Sequence, residues 1–370
     1  MGILRTLLAL AVVVYHSYKI FGLRLCGGQV AVQSFYMISG FYMALILSEK
    51  YTGPGSYRQF IFSRFFRIFP VYWLVLLLAL LVSLAGWYGF GKPFYLSRYV
   101  SGSQCLSWST LLWFGIENVV VLGQDLLYFL KLDEACQPSF VYNPLSFSHT
   151  GYQYLMVPQA WSISIECFFY LLAPFMVVRR LRWQLAVVAL SLGLRYICVS
   201  RLYLSFDPWT YRFFPFELAF FMAGSVAYRA YRLIRDRGIS YYIGYAWLLL
   251  LVILIVFYDQ WPLADKLKMY GFYVLLLSGL PFIFFSFRNH KADRYIGELS
   301  FSIYIIHHLV VLLLRQRYFG NPYLLDSYGY VVIGISLLLA VVMQRWLVEP
   351  LDRYRHRFAG LNPLKRLPGQ

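Results

Sequence analysis

The chain contains ten apolar stretches, each close to the length that an α-helix needs to cross a lipid bilayer. At 1.5 Å per residue, about 20 residues match the roughly 30 Å hydrocarbon core. Backbone amides in that core must be hydrogen-bonded within the chain, which favours helices. The stretches lie at about residues 3–20, 31–47, 69–87, 159–178, 184–200, 213–230, 241–258, 269–287, 299–315 and 328–348. We therefore predict an all-α, polytopic membrane helix bundle of about ten transmembrane helices.

Composition and charge agree with a membrane protein and argue against a nucleic-acid partner. Of the 370 residues, 60% are hydrophobic and only 13% are charged. The net charge of +17 comes from Lys and Arg residues that lie mostly in short loops between apolar stretches, which is the pattern that sets topology. We expect contact with membrane lipids and no nucleic acid. The sequence has no zinc-type spacing of Cys and His, so we expect no metal.

An eleventh segment, at 108–123, is shorter than the others and contains Glu117 and Asn118. We predict a re-entrant or interfacial helix there. If it does not cross and the N-terminus is cytosolic, 21 of the 33 Lys and Arg residues lie inside and 11 outside, with Arg195 within a helix. A crossing would move 16 of the inner charges outside. The charge bias therefore predicts ten crossings with both termini cytosolic.

This topology predicts a single transmembrane domain at 1–350, with an external loop at about 88–159, followed by a short basic cytosolic tail at 351–370. Cys105 and Cys136 both fall in the external loop. A disulfide between them and two free thiols are the alternatives. Loops of this length are uncommon without a function, and this one is long enough for a lid or an acceptor platform.

Arg5 and His16 are the first candidates for chemistry, because both lie in one short apolar stretch. A charged side chain at bilayer depth costs a few kcal/mol at least, so such residues are usually functional. Their separation of eleven residues is close to three helical turns, which places both on one side of a helix, roughly 16 Å apart. This spacing suits an anionic carrier held at one end while a base acts at the other. Packing is the alternative role for a lone transmembrane histidine.

Other candidates lie on three further stretches. Glu166 lies near the outer end of the fourth stretch, at a depth comparable to that of His16, and a carboxylate there would stabilise an imidazolium. It could equally pair with Arg195 or Arg212. Arg64 and Arg67 are neighbours on a helix face and with Arg5 could bind phosphates, although positive-inside anchoring also explains them. Ser39 and Gly40 lie within the second stretch, where a glycine lets a helix or an extended ligand approach.

Taken in order, these residues resemble the acyltransferase-3 family of membrane acyltransferases. The resemblance covers nearly the whole chain and rests on six pieces: Arg5 with ten residues before His16; Gly27-Gly28 to Ser39-Gly40-Phe41; Arg64-x-x-Arg67-Ile68-x-Pro70; Trp161-Ser162 to Glu166; Gly297-x-x-Ser300-x-x-Ile303-Tyr304-x-x-His307; and Glu349-Pro350.

The resemblance implies an enzyme of the plasma (inner) membrane that moves an acyl group, usually acetyl, from cytosolic acyl-CoA to a hydroxyl of a cell-surface or exported glycan or glycolipid. It also implies residue roles: His16 as the essential histidine, Glu166 as its acidic partner, and Arg5, Arg64 and Arg67 as contacts to CoA. We add Ser39 and Gly40 to the expected CoA site. Direct transfer and an acyl-enzyme are both compatible with these residues.

The chain departs from the family pattern in two places. Cys167 stands where members often have a second glutamate, which leaves Glu166 as the one carboxylate of that motif. Many members also carry a C-terminal hydrolase-like domain, so we expect that its counterpart here is either a separate protein, such as a glycan-assembly partner, or unnecessary. The competing hypothesis is a transporter or flippase of a lipid-linked sugar or polysaccharide, in which the intramembrane charges line a pathway.

Overall fold

The computed structural model describes residues 1–102, 106–133, 136–319 and 322–358. The α-helices are α1 (Gly2–His16), α2 (Gly27–Glu49), α3 (Ser56–Phe90), α4 (Ser97–Gly102), α5 (Trp108–Val120), α6 (Trp161–Met176), α7 (Leu181–Arg201), α8 (Phe214–Ile234), α9 (Tyr241–Val256), α10 (Asp265–Phe287), α11 (Lys291–Phe319), α12 (Pro322–Met343) and α13 (Glu349–Phe358). A π-helical turn, Gln344–Val348, joins α12 to α13. Two three-residue strands, β1 (Leu130–Leu132) and β2 (Pro138–Phe140), pair antiparallel. The predicted all-α fold class is confirmed.

Each of the ten predicted apolar stretches overlaps one of these helices. Within the described part of the chain, six helical segments are long and apolar enough to cross a membrane, and α1 and α9 are apolar but shorter. The six segments are Gly27–Glu49, Ser56–Phe90, Leu181–Arg201, Asp265–Phe287, Lys291–Arg315 and Leu324–Tyr354. The protein is therefore a polytopic membrane helix bundle, and the number of ten crossings stays a prediction.

Several helices differ from their predicted bounds, and the differences at α1 and α3 concern candidate site residues. The first predicted stretch runs to residue 20, but α1 ends at His16, where the Ser17 hydroxyl donates to the Val13 carbonyl at 2.7 Å. Hydropathy misses this end because apolar residues continue past it. The third stretch was predicted from residue 69, but α3 begins at Ser56 and contains Pro70. The arginines before Pro70 therefore belong to α3.

The segment predicted to be a short re-entrant or interfacial helix forms α5. Its 13 residues span about 20 Å, which is less than the hydrocarbon core. The Asn118 amide holds its end: it donates to the carbonyls of Phe114 and Tyr154, both at 2.9 Å, and accepts from the Met156 amide at 2.7 Å. The hydrogen bonds to Tyr154 and Met156 therefore hold that part of the following loop against the end of α5.

The chain divides into two compact units. The first unit contains residues 1–67, 170–190 and 218–370, and the second contains 68–169 and 191–217. In the first unit α1 packs along α11, α11 along α12, and α9 along α10. The second unit contains α4, α5, the strand pair and most of the loop predicted to be external.

In the first unit, two glycines bring the backbones of α2 and α8 into contact. A Cβ atom on Gly40 would lie 1.8 Å from the Phe221 carbonyl oxygen, and one on Gly224 would lie 1.8 Å from the Met37 carbonyl oxygen. These distances are far below van der Waals contact, so neither helix can carry a side chain there. The structure thus gives Gly40 a packing role.

We predict that Gly40→Ala destabilises the protein, because the new methyl group would push α2 and α8 apart. Overpacking of this kind costs about 1–3 kcal/mol. Gly193→Ala is the matched control, since a Cβ atom at Gly193 on α7 meets nothing within 4 Å. Thermal unfolding in detergent should show a lower midpoint for Gly40→Ala and no loss for Gly193→Ala. Equal midpoints for Gly40→Ala and the unaltered protein would contradict the packing role.

The cysteines of the loop predicted to be external bear on the disulfide hypothesis. Cys136 is disulfide-bonded, and Cys26, Cys167 and Cys198 are free. Cys105 lies outside the described residues, so its pairing with Cys136 stays a prediction.

We predict that the denatured, unreduced protein takes up three iodoacetamide groups and that the reduced protein takes up five, because the chain has five cysteines, of which three are free. Intact-mass measurement counts the groups, and peptide mapping of the unreduced protein should find Cys105 linked to Cys136. Five groups without reduction would rule out the bridge.

Candidate active site

The candidate site is built on the contact between α1 and α11 in the first unit. At the start of α1, the backbone N–H groups of Gly2 and Ile3 donate to the Asp293 carboxylate at 2.8 and 2.9 Å. One turn on, the Thr6 hydroxyl donates to the Ile296 carbonyl at 2.7 Å. At the other end of α1, His16 faces His307. The two helices therefore run parallel, with their starts together and the end of α1 beside the middle of α11.

Three histidines meet at the end of α1. The centroid of the His16 ring lies 5.3 Å from that of His307 and 5.8 Å from that of His308. His16 is exposed, whereas His307 is completely buried. In this arrangement the exposed imidazole can contact a substrate, and the buried imidazole can hold the exposed one in position.

One hydrogen bond fixes the tautomer of His307. Its Nδ1 lies 2.6 Å from the Tyr304 carbonyl oxygen. A carbonyl oxygen only accepts, so Nδ1 carries the proton and donates. In the neutral ring Nε2 then carries a lone pair, and it has no hydrogen-bond partner within the described part of the chain.

Three arginines meet near the other end of α1. Arg5 of α1, Arg67 of α3 and Arg294 of α11 all interact electrostatically with the Glu298 carboxylate and with the half-buried Tyr42. Gln344 donates to Glu298 Oε2 at 3.1 Å. We call Arg5, Arg67 and Arg294 the arginine cluster. Asp352 also interacts electrostatically with Glu298. Three guanidinium groups and two carboxylates still leave a net positive charge, which suits an anionic ligand.

The remaining predicted CoA contacts lie in the first unit but in a different setting. The Arg64 guanidinium lies 5.9 Å from the Phe60 ring centroid and 6.0 Å from that of Tyr170. The buried Ser39 hydroxyl lies 3.4 Å from the Tyr170 hydroxyl. Arg64 and Ser39 thus both adjoin Tyr170, and Gly40 contacts α8. Their role in binding CoA stays a prediction.

Glu166 belongs to the second unit, and its pairing with His16 of the first unit stays a prediction. Glu166 is half-buried on α6. The hydroxyl of Ser164, two residues before it, donates to Asp125 Oδ1 at 2.6 Å and accepts from the Gly123 amide at 2.9 Å. These bonds anchor the start of α6 to the loop after α5. Burial raises the pKa of Asp125 to about 6, although the Ser164 hydrogen bond opposes this shift.

The two arginines proposed as alternative partners of Glu166 have other carboxylate partners in the second unit. Arg195 pairs with the fully buried Glu217 at 3.5 Å, as expected for charges near the membrane. Arg212 binds Asp207 through two nitrogens, at 2.6 and 2.9 Å. Its guanidinium also lies 4.1 Å from the Tyr128 centroid and 4.2 Å from that of Trp161.

Sequence reasoning gave too little weight to Arg294, Glu298 and His307. In the sequence, Arg294 counts only as one of the inner positive charges, Glu298 marks no motif, and His307 is one part of a longer motif. No simple periodicity links Arg294 to His307: eleven residues place Arg5 and His16 on one helix face, whereas thirteen residues place Arg294 and His307 on different faces of α11. Within the described ranges, no three His, Cys, Asp or Glu residues are arranged to hold a metal ion.

Comparison with known proteins gives one match. A family model for the acyltransferase domain of the acyltransferase-3 family matches residues 1–345. Neither curated proteins nor solved structures yield a match. The family match covers nearly all of the 370 residues and confirms the resemblance seen in the motifs. The chain belongs to the acyltransferase-3 family and is an integral membrane acyltransferase.

Proposed function

We propose that this acyltransferase takes an acyl group, with acetyl as the expected one, from cytosolic acyl-CoA and transfers it to a hydroxyl of a cell-surface or exported glycan. The observation that supports this proposal most is the arrangement along α1, where the arginine cluster adjoins one end and the His16 imidazole forms the other. The eleven residues between Arg5 and His16 correspond to roughly 16 Å of helix. An extended pantetheine arm reaches over that distance.

In this proposal the arginine cluster binds the phosphates of acyl-CoA. Guanidinium groups form charge-assisted, bidentate hydrogen bonds with phosphate oxygens, which are stronger than neutral ones. Glu298 moderates the repulsion among the three cations without cancelling their net charge. Positive-inside loops raise the local concentration of an anionic cytosolic donor in the same way.

His16 then acts as the general base in our proposal. It takes the proton of the acceptor hydroxyl while the hydroxyl oxygen attacks the thioester carbonyl carbon. The C–S bond breaks, an ester forms, and the imidazolium returns its proton to the CoA sulfur, so that the free thiol of CoA leaves. Glu166 is the proposed carboxylate that stabilises the imidazolium. This direct transfer needs no metal.

We place the enzyme in the plasma membrane with both termini cytosolic, as the charge bias predicts. The donor then enters from the inside and the thioester reaches a histidine farther toward the outside. A separate glycan-assembly protein is the expected partner for acceptor delivery. Membership of an acyltransferase family favours this function over the transport of a lipid-linked sugar.

We predict that His16→Ala abolishes O-acylation of the surface glycan, because removing a general base slows transfer by about 10²- to 10⁴-fold. A strain lacking the gene is complemented with each variant, and the O-acyl content of its glycan is measured by mass spectrometry. His290→Ala is the matched control, since this exposed histidine bonds the Tyr245 hydroxyl and precedes His307 by seventeen residues. Normal acyl content with folded His16→Ala would refute the proposal, whereas lost export of a normally acylated polymer would favour transport.

We predict that Arg67→Gln weakens acetyl-CoA binding by roughly 10- to 100-fold, which is the effect of losing a hydrogen bond to a charged group. The salt dependence of binding should also become shallower. Calorimetric titration of detergent-purified protein with acetyl-CoA measures both. The control is Arg237→Gln, which removes an exposed arginine after α8. Equal affinities of the two variants would argue against the arginine cluster as the phosphate site.

A further inference from the structure

His307 is a buried base whose hydrogen bonding is incomplete. Its ring is fully buried, Nδ1–H donates to the Tyr304 carbonyl, and Nε2 has no partner among the described residues. A buried acceptor without a donor destabilises a fold, so such an atom calls for a reason. Because Nδ1 faces the backbone of its own helix, Nε2 lies on the side of the ring away from that backbone.

The nearest imidazole across the helix contact is His16. Its ring centroid lies 5.3 Å from that of His307, with an angle of 35° between the planes. At this separation, a modest turn of the exposed His16 side chain brings the facing ring edges within hydrogen-bond reach. The hydrogen bonds at the start of α1 hold the two helices in this register.

A general base of this kind needs an acceptor at its second nitrogen. When an imidazole takes a proton from a hydroxyl, both of its nitrogens become donors. One N–H faces the reacting oxygens, and the other must be accepted by a neighbour that also fixes the ring before reaction. Nucleophile–base systems usually use a carboxylate for this purpose. Here the proposed carboxylate, Glu166, stabilises the imidazolium by its charge, and no carboxylate follows His16 closely in the sequence to accept this N–H.

We propose that His307 is a positioning residue for His16, with its Nε2 lone pair accepting the second N–H of the His16 imidazole. This inference rests on the proposed role of His16 as general base and adds to it the residue that orients that base. The Tyr304 carbonyl is the third group in this series of hydrogen bonds, because it holds His307 in the tautomer whose Nε2 accepts.

His308 is a poorer candidate for this role. Its ring lies farther from His16, at 5.8 Å and nearly perpendicular, and it interacts electrostatically with Arg315. For His307, in addition, the Tyr304 carbonyl sets the tautomer that leaves Nε2 as an acceptor.

Two substitutions of His307 separate positioning from packing. Asparagine keeps a donor near the Nδ1 position but has no acceptor near Nε2, whereas glutamine can place its carbonyl oxygen there. Membranes containing each variant are incubated with radiolabelled acetyl-CoA, and initial rates of acetyl incorporation into the endogenous acceptor give apparent kcat and KM. His290→Asn controls for the loss of an imidazole elsewhere, and the thermal midpoint of each purified variant controls for folding.

We expect His307→Asn to lower apparent kcat roughly 10- to 100-fold, the effect of a lost hydrogen bond to a charged group, with KM for acetyl-CoA nearly unchanged. His307→Gln should recover most of the rate, and His290→Asn should match the unaltered protein. In the double variant, His307→Asn should add no loss to that of His16→Ala, because the two residues act as a unit.

Either of two results would overturn the positioning role: an unchanged kcat in folded His307→Asn, or a further loss when His307→Asn is combined with His16→Ala. These results differ from a failure of the proposed function itself. In that case the unaltered protein would show no acetyl incorporation that depends on His16, whatever residue stands at 307.

Discussion

The parallel packing of α1 on α11 is the contact on which the site depends. Gly2 and Gly297 bring the two backbones together, since a Cβ atom on Gly297 would lie 2.6 Å from the Gly2 Cα atom. The Asp293 carboxylate accepts two backbone N–H groups at the start of α1, where helical amides lack partners and a negative charge is favoured. The close approach of Gly2 and Gly297 fixes the distance between the helices, and the hydrogen bonds to Asp293 fix the register along them.

That register determines which side chains meet at each end. With Gly2 held at Asp293, Arg5 comes within electrostatic range of Glu298, and His16 comes opposite His307. The positive end and the imidazole end are thus coupled through one rigid pair of helices rather than through loops. Sites built on helices hold their geometry more tightly than sites on loops. A ligand that bridges both ends would therefore meet a preset distance.

The sequence predicted the helices well because the bilayer leaves an apolar stretch little choice of structure. It also identified Arg5 and His16, because such side chains are costly in lipid and stand out before the residues that they contact are known. It could not identify what they meet. Glu298 and His307 follow Arg5 and His16 by about 290 residues, and contacts over such separations arise from packing, which leaves no local pattern. For the same reason, the sequence alone left Gly40 compatible with contact to a helix or to a ligand. Its contact with the Phe221 backbone is what identifies the helix.

The direction of α11 bears on the topology as well as on the site. Two helices in a bilayer run parallel only when an odd number of crossings separates them. Seven predicted stretches lie between the first and the ninth, which contains α11. A crossing at 108–123 would make eight and would turn α11 antiparallel to α1, against the contacts at both ends of α1. The charge bias, the 13-residue length of α5 and the direction of α11 are independent observations, and all three favour a segment that does not cross.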